Sequence, residues 1–126
     1  MAKRIAIILL LIIILGGALW QHIYVTGATK KLASDLEKVN EALIADDILA
    51  AIDAVQTFKE NWEKEKQLFE TLFEHEEIDL ISASSARLQQ MCAEGNKSEA
   101  IAETAVTLYY IQHIHEIDSV KWENIF

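Results

Sequence analysis

Apolar residues follow one another without interruption near the start of the chain, and over the rest of it they recur every three or four positions. The uninterrupted run is Ile5–Trp20. A helix over about Ile5–Val25 is long enough to cross the hydrocarbon core of a bilayer, with its last aromatic rings at the interface. The pattern predicts an N-terminal transmembrane anchor over residues 1–25 and a separate domain over residues 26–126.

A cleaved signal peptide is the alternative for the same stretch. Its basic region would be Met1–Arg4, its apolar region Ile5–Leu19, and its cleavage site the small residues Thr26-Gly27-Ala28. The apolar run is at the long end for a signal peptide, and bulky side chains fill the stretch before that site. The uncleaved anchor is therefore favoured.

Basic residues flank the anchor on both sides. Lys3, Arg4 and the N-terminal amine favour a cytoplasmic N-terminus, while Lys30 and Lys31 partly oppose it. We therefore expect a single-pass protein of the cell membrane, with the C-terminal domain outside the cytoplasm.

Four segments with an apolar stripe at helical spacing follow the anchor. Their predicted bounds are Thr29–Ala45, Asp47–Phe73, Glu77–Ala93 and Ser98–Ser119, followed by a short amphipathic tail, Lys121–Phe126. Proline is absent, and glycine is too rare after the anchor for the turns of a β domain. The prediction is an all-α fold, in which the transmembrane helix is followed by a small antiparallel bundle of about four helices, arranged as two hairpins.

Capping residues mark the turns between these segments. Asp46-Asp47 predicts a stop followed by a new helix, and Gly95 can take the left-handed conformation that ends the third segment. Ser98 is the predicted cap of the fourth segment. The middle of the second segment, residues 59–67, has a single strongly apolar residue, so the sequence allows a kink or a break in the helix there.

A weak internal repeat relates the two hairpins at an offset of 52 residues. The matched pairs are Leu36 with Leu88, Val39 with Met91, Asp46 with Ser98, Leu49 with Ile101, Ala50 with Ala102, and Phe58 with Tyr110. Two helical hairpins can stack side by side or close into a four-helix bundle, and the sequence leaves both arrangements open.

Charge and cysteine content narrow the classes of function. The chain has a formal net charge of −9, and without Lys3 and Arg4 the domain is near −11, since every acid lies after residue 34. So acidic a domain is a poor ligand for nucleic acid or for an anionic lipid surface. Cys92 is the single cysteine, so no intrachain disulfide can form, and its apolar neighbours favour a core position.

The joint between the second and third segments is the one candidate metal site. His75 and Asp79 are four residues apart, a spacing that places two ligands on one helix face. Further ligands could come from Glu77, His113, His115 and Glu116. The favoured interpretation is structural, in which His75 or Glu76 caps the third helix and nearby acids stabilise its positive end.

Catalytic motifs are absent from the sequence. Ser82, Ser84 and Ser85 form a cluster, but no Gly-x-Ser-x-Gly elbow surrounds them, and the chain has no glycine-rich phosphate loop. We expect neither an enzyme nor a bound cofactor.

A resemblance extends along nearly the whole chain. It is carried by the basic and apolar N-terminus, Asn61-Trp62-Glu63-Lys64, the joint His75-Glu76-Glu77-Ile78-Asp79, Leu88, Lys97-Ser98-Glu99-Ala100 and His113-Ile114. On these residues the chain resembles an uncharacterised family of small single-anchor proteins of clostridia and related Firmicutes, catalogued as a domain of unknown function. The resemblance implies a membrane-anchored helical domain that works beside a larger membrane protein, and it offers no activity.

Two hypotheses of function follow. The first is an interaction module that binds or stabilises another membrane protein or a second copy of itself. It predicts an exposed apolar patch, for which the candidates are Trp62, Phe69, Phe73, Trp122 and Phe126. The second is a ligand- or metal-sensing helical domain on a membrane stalk. A cytoplasmic part of only about four residues favours the interaction module.

Overall fold

The computed structural model describes residues 1–125, and within that range the chain forms four α-helices and no strand. They are α1 (Ala2–Ile44), α2 (Ile48–Leu72), α3 (His75–Ala93) and α4 (Lys97–Ile125). Each helix contacts the next along the chain, and α4 also contacts α1, so the four helices close into a ring. The all-α prediction is confirmed, and the two hairpins form a closed four-helix bundle rather than a stack.

The turns after α1 and α3 have the same backbone structure. Asp46 and Gly95 both have positive φ, at 58° and 71°. The amide of the following residue, Asp47 or Asn96, donates to a carbonyl five residues back, at 2.9 and 3.0 Å. This is the hydrogen-bond pattern of a Schellman motif, which satisfies carbonyls left free at the end of a helix. The prediction for Gly95 is therefore confirmed.

The next helices also begin alike. Asp47 Oδ1 accepts a hydrogen bond from the Ala50 amide at 3.0 Å, as predicted, and Asn96 Oδ1 accepts one from the Glu99 amide at 3.4 Å. The predicted cap Ser98 is wrong, because Ser98 lies inside the first turn of α4.

The internal repeat has an offset of 49 residues rather than 52, because the two Schellman turns align only in that register. Buried positions of the hairpins match at the same offset. The pairs include Leu32 with Ile81, Val39 with Leu88, Leu43 with Cys92, Ala51 with Ala100, and Trp62 with Ile111. The bundle therefore consists of two hairpins with one pattern of buried positions.

Two other helix boundaries and the course of α2 also bear on the predictions. Helix α2 is continuous through residues 59–67, because Trp62 is anchored in the core there. Helix α3 begins two residues early, and its N-cap is Glu74 rather than His75 or Glu76. Glu74 caps through its backbone carbonyl, to which the Glu77 amide donates at 3.1 Å. Helix α4 continues through the predicted tail to Ile125.

Large aromatic side chains of α2 fill the centre of the bundle. Phe58, Trp62 and Phe69 are all fully buried, and the Trp62 and Phe69 rings pack edge to face at 6.0 Å. The other hairpin contributes small polar residues to the interior, where Ser84 and Thr107 are buried and share a hydrogen bond of 2.6 Å. Burial of aromatic side chains of this size contributes much of the stability of a small domain.

Helix α1 extends well beyond the bundle. The large apolar side chains from Ile5 to Leu15 are between 43% and 69% exposed, and the first buried residue is Val25. Residues 2–19 alone extend roughly 27 Å at 1.5 Å per residue. Within the described residues, α1 is the one helix whose length and composition suffice to cross a membrane. The predicted boundary between residues 25 and 26 lies inside this unbroken helix and stays a prediction.

Replacing Gly95 with alanine should lower the free energy of unfolding by about 1 kcal/mol, because an L side chain is strained at its positive φ. The matched control is Gly27→Ala within α1, where a Cβ meets no atom within 4 Å. Removing a helical glycine there should raise stability by up to about 1 kcal/mol. Thermal unfolding of the full-length protein in mild detergent, followed by circular dichroism, compares the two. Equal shifts would contradict the assignment of the Gly95 turn.

Cys92 should react slowly with iodoacetamide in the folded protein. Its side chain is 1% exposed, and burial raises the pKa of the thiol, so the reactive thiolate is scarce at neutral pH. We expect a rate at least about 100-fold below that in denaturant. A Cys92→Ala/Ser98→Cys variant, with its cysteine at an exposed position, is the control and should react quickly. Rapid labelling of wild-type Cys92 would show that the core opens readily.

Candidate functional site

Several contacts between helices lie at the end of the bundle from which the apolar part of α1 emerges, called here the basal end. His22 Nδ1 on α1 lies 2.9 Å from Oδ2 of Asp118 on α4, and that carboxylate is only 3% exposed. The indole of Trp122 stacks on the His22 ring, with centroids 4.8 Å apart. A buried carboxylate needs a hydrogen-bonding partner, so this contact holds the lower part of α1 against α4.

Three further contacts lie at the basal end. Lys121 Nζ donates to the Leu72 carbonyl at 3.1 Å and lies over the Phe73 ring, 5.1 Å from its centroid. The Tyr24 hydroxyl donates to the Glu65 carboxylate across α1 and α2. Together these contacts join α4 to the turn after α2, and α1 to α2, at the same level of the bundle.

The cavity beside His22 and Asp118 is small. Its volume is about 50 Å³, and its lining residues are Ala18, Gln21, His22, Asp118, Lys121 and Trp122. That volume suits one or two waters rather than a larger ligand. The arrangement around His22 and Asp118 therefore fixes the direction in which α1 leaves the bundle.

The predicted metal ligands lie apart from the His22–Asp118 contact. His75 and Asp79 are exposed in the first turns of α3. His113 Nε2 instead approaches Glu77 Oε1 at 3.7 Å, which links α4 to α3. Within residues 1–125 no group of three or more His, Cys, Asp or Glu side chains is arranged to hold a metal ion. Within the described residues, the fold thus brings no third metal ligand to His75 and Asp79.

The predicted exposed apolar patch is not where the sequence placed it. Trp62, Phe69 and Phe73 are buried, with 1%, 0% and 7% of their surfaces exposed, because they form the aromatic centre of the bundle. Trp122 is half-buried against His22. Phe126 lies outside the described residues. The expectation that the first three are exposed is corrected.

Exposed apolar side chains of the bundle include three at the opposite, far end. Ile44 ends α1, and Leu49 and Ile52 lie in the first turns of α2, with exposed fractions of 61%, 81% and 39%. These three residues are called here the far-end patch. In the sequence these residues could have been recognised by their positions. Leu49 lies beside the apolar stripe of its helix rather than in it, and Ile44 lies close to the turn that follows α1.

The fold and these contacts define a four-helix bundle carried on a long apolar N-terminal helix. The chain belongs to the family described as a domain of unknown function (DUF4363), whose match covers residues 19–125. The match includes the whole bundle and begins where α1 first contacts it. No curated protein and no solved structure matches the chain.

The core assignment of Trp62 predicts a large loss of stability on truncation. Trp62→Ala removes a buried indole and its hydrogen bond to Ser82 Oγ, and should cost about 3–5 kcal/mol of unfolding free energy. Leu49→Ala, at an exposed position of the same helix, should change it by less than about 0.5 kcal/mol. Both are measured by thermal or denaturant unfolding in mild detergent. If Trp62→Ala left the free energy of unfolding unchanged, Trp62 would again be a candidate for the partner surface.

Proposed function

We propose that this protein is a single-pass membrane protein whose helical bundle lies outside the cytoplasm and binds and stabilises a partner membrane protein. The observation that carries the proposal is the apolar first part of α1, which no other residue of the described chain covers. An apolar surface of this length is stable only in a bilayer or against another protein. Lys3 and Arg4 support a cytoplasmic N-terminus.

The continuity of α1 supports an uncleaved anchor. Cleavage near Thr26-Gly27-Ala28 would remove Val25 from the core and would break the contacts of His22 with Asp118 and of Tyr24 with Glu65. The bundle would lose its basal closure and leave the Asp118 carboxylate without its partner. Retention of the N-terminal helix is therefore consistent with a stable domain.

The far-end patch is the surface we assign to the partner. Ile44 is about 24 residues beyond Trp20 along a straight helix, which places the patch roughly 36 Å from the level of that ring. A partner reaching this height would itself need a domain outside the membrane. A second copy of the chain meets that requirement as well, and the experiment below distinguishes it.

The proposal includes neither catalysis nor a cofactor. Its support is the lack of a nucleophile elbow or phosphate loop in the sequence, together with the filling of the bundle centre by the chain's own aromatic side chains. The alternative is a ligand- or metal-sensing domain on a membrane stalk, for which His75 and Asp79 would be the ligands.

The test is a pull-down from membranes in mild detergent, using the full-length protein tagged at its C-terminus. We compare the wild type with Ile44→Ser/Leu49→Ser, with the control Tyr109→Ser/Val120→Ser at exposed positions of α4, and with His75→Ala/Asp79→Ala. A membrane protein should be retained in stoichiometric amount by every form except the far-end variant. Recovery of an untagged copy of the chain alone would assign the patch to self-association.

The opposite pattern would overturn the interaction module. If no protein is retained, and a metal ion co-purifies with the wild type but not with His75→Ala/Asp79→Ala, the sensing alternative is supported. A protein retained equally by the far-end variant would refute the assignment of the patch while leaving the interaction module in place.

A further inference from the structure

A groove runs between α1 and α4 just beyond the basal end. Its volume is about 200 Å³, and it is lined by Thr29, Lys30, Ala33, Ile111, Gln112 and His115. Lys30 is the one lining residue with a permanent charge, and no carboxylate is among them. The lining therefore offers a cation, an amide and an imidazole, which are groups that can donate hydrogen bonds to an anion.

One lining residue, His115 on α4, has a buried Nδ1 atom with no hydrogen-bond partner within the described chain. Thr26 Oγ1, one turn below Lys30 on the same face of α1, is unpaired as well. Most buried polar atoms in proteins are paired, so unpaired atoms beside a groove indicate a place where a polar ligand or water is accommodated. Lys30 and Lys31 likewise form no ion pair with residues 1–125.

The depth of the groove matches the headgroup layer of a bilayer. Trp20 and Tyr24 stack at 5.3 Å and mark the interface level on α1. Lys30 is six residues beyond Tyr24, or roughly 9 Å along the helix, and its long side chain spans the difference to a headgroup layer about 5–8 Å thick. Side chains on a helix lean toward its N-terminus, so Lys30 leans back toward the bilayer.

Helix α1 is basic at this level, and the carboxylates Asp118 and Glu65 of the basal end are already hydrogen-bonded to His22 and Tyr24. Helix α1 has no acidic residue before Asp35, although the domain as a whole is strongly acidic. An anionic headgroup would meet Lys30 here, whereas the ammonium of a zwitterionic headgroup would find no carboxylate in the groove. Charge and depth together favour an anionic lipid over other ligands.

We propose that the groove between α1 and α4 binds the phosphate of an anionic phospholipid from the leaflet that the bundle faces. Lys30 supplies the charge, Gln112 and His115 supply hydrogen bonds, and the acyl chains lie along the apolar part of α1. This inference rests on the membrane anchoring in the proposed function, and it assigns a lipid class to one defined surface. The acidic remainder of the bundle keeps other surfaces away from such lipids.

The experiment titrates delipidated full-length protein in mild detergent with phosphatidylglycerol or phosphatidylcholine, and lipid adducts are counted by native mass spectrometry. Lys30→Gln should weaken phosphatidylglycerol binding about tenfold, as loss of a charge-assisted hydrogen bond predicts. Lys31→Gln has the same net charge but changes a residue outside the groove, so it should alter binding less than about twofold. His115→Ala should likewise weaken phosphatidylglycerol binding more than its control His113→Ala, because only His115 lines the groove.

Each other outcome overturns the lipid site. Equal effects of Lys30→Gln and Lys31→Gln would show diffuse electrostatic attraction, and equal binding of phosphatidylcholine would remove the role of charge. Full competition by millimolar inorganic phosphate would assign the groove to a free anion. Alkaline extraction of membranes separates this test from the anchoring proposal. Wild type found in the soluble fraction refutes the anchor, whereas membrane-retained wild type without lipid preference refutes only the groove.

Discussion

The continuity of α1 is the constraint on which the rest of the structure depends. One unbroken helix of 43 residues is uniformly apolar over its first part and amphipathic over its second. Because the helix does not break, any force on the apolar part is transmitted directly to the bundle. The His22–Asp118 contact and the Trp122 stack prevent the lower part of α1 from separating from α4. The basal contacts thus hold the apolar part of α1 in a fixed direction relative to the bundle.

The two hairpins bury side chains of different size at matching positions, and this difference shapes the core of the bundle. In the 49-residue register, Phe58 of the first hairpin corresponds to Thr107 of the second, and Leu36 corresponds to Ser85. Large aromatic residues on one side require small residues on the other, since the interior has room for only one set. The small side chains carry hydroxyls, and the Ser84–Thr107 bond satisfies two of them in the interior. The two hairpins therefore have the same pattern of buried positions, but the side chains at those positions differ in size and polarity.

Sequence patterns recovered the helices because the stripe of each helix repeats with the helical period, and the Asp47 cap and the Gly95 turn have strong local preferences. The repeat register was wrong because Ser98 and Asn96 are both good caps, and only the backbone after Gly95 distinguishes them. The aromatic residues were misplaced for another reason. An apolar side chain favours the core and a partner surface alike, so composition could not separate Trp62 from Leu49.

The helical class, the apolar N-terminal run, the acidic charge and the lack of catalytic motifs could all be read from the sequence, because they depend on local composition and spacing. The closure of the hairpins into a ring could not, and neither could the central place of Trp62 or the exposure of Leu49. The fold also brought His22 to Asp118, 96 residues apart, and placed Lys30 beside His115. Contacts of this kind depend on how helices are rotated against one another, and that rotation follows from the packing of all four helices together.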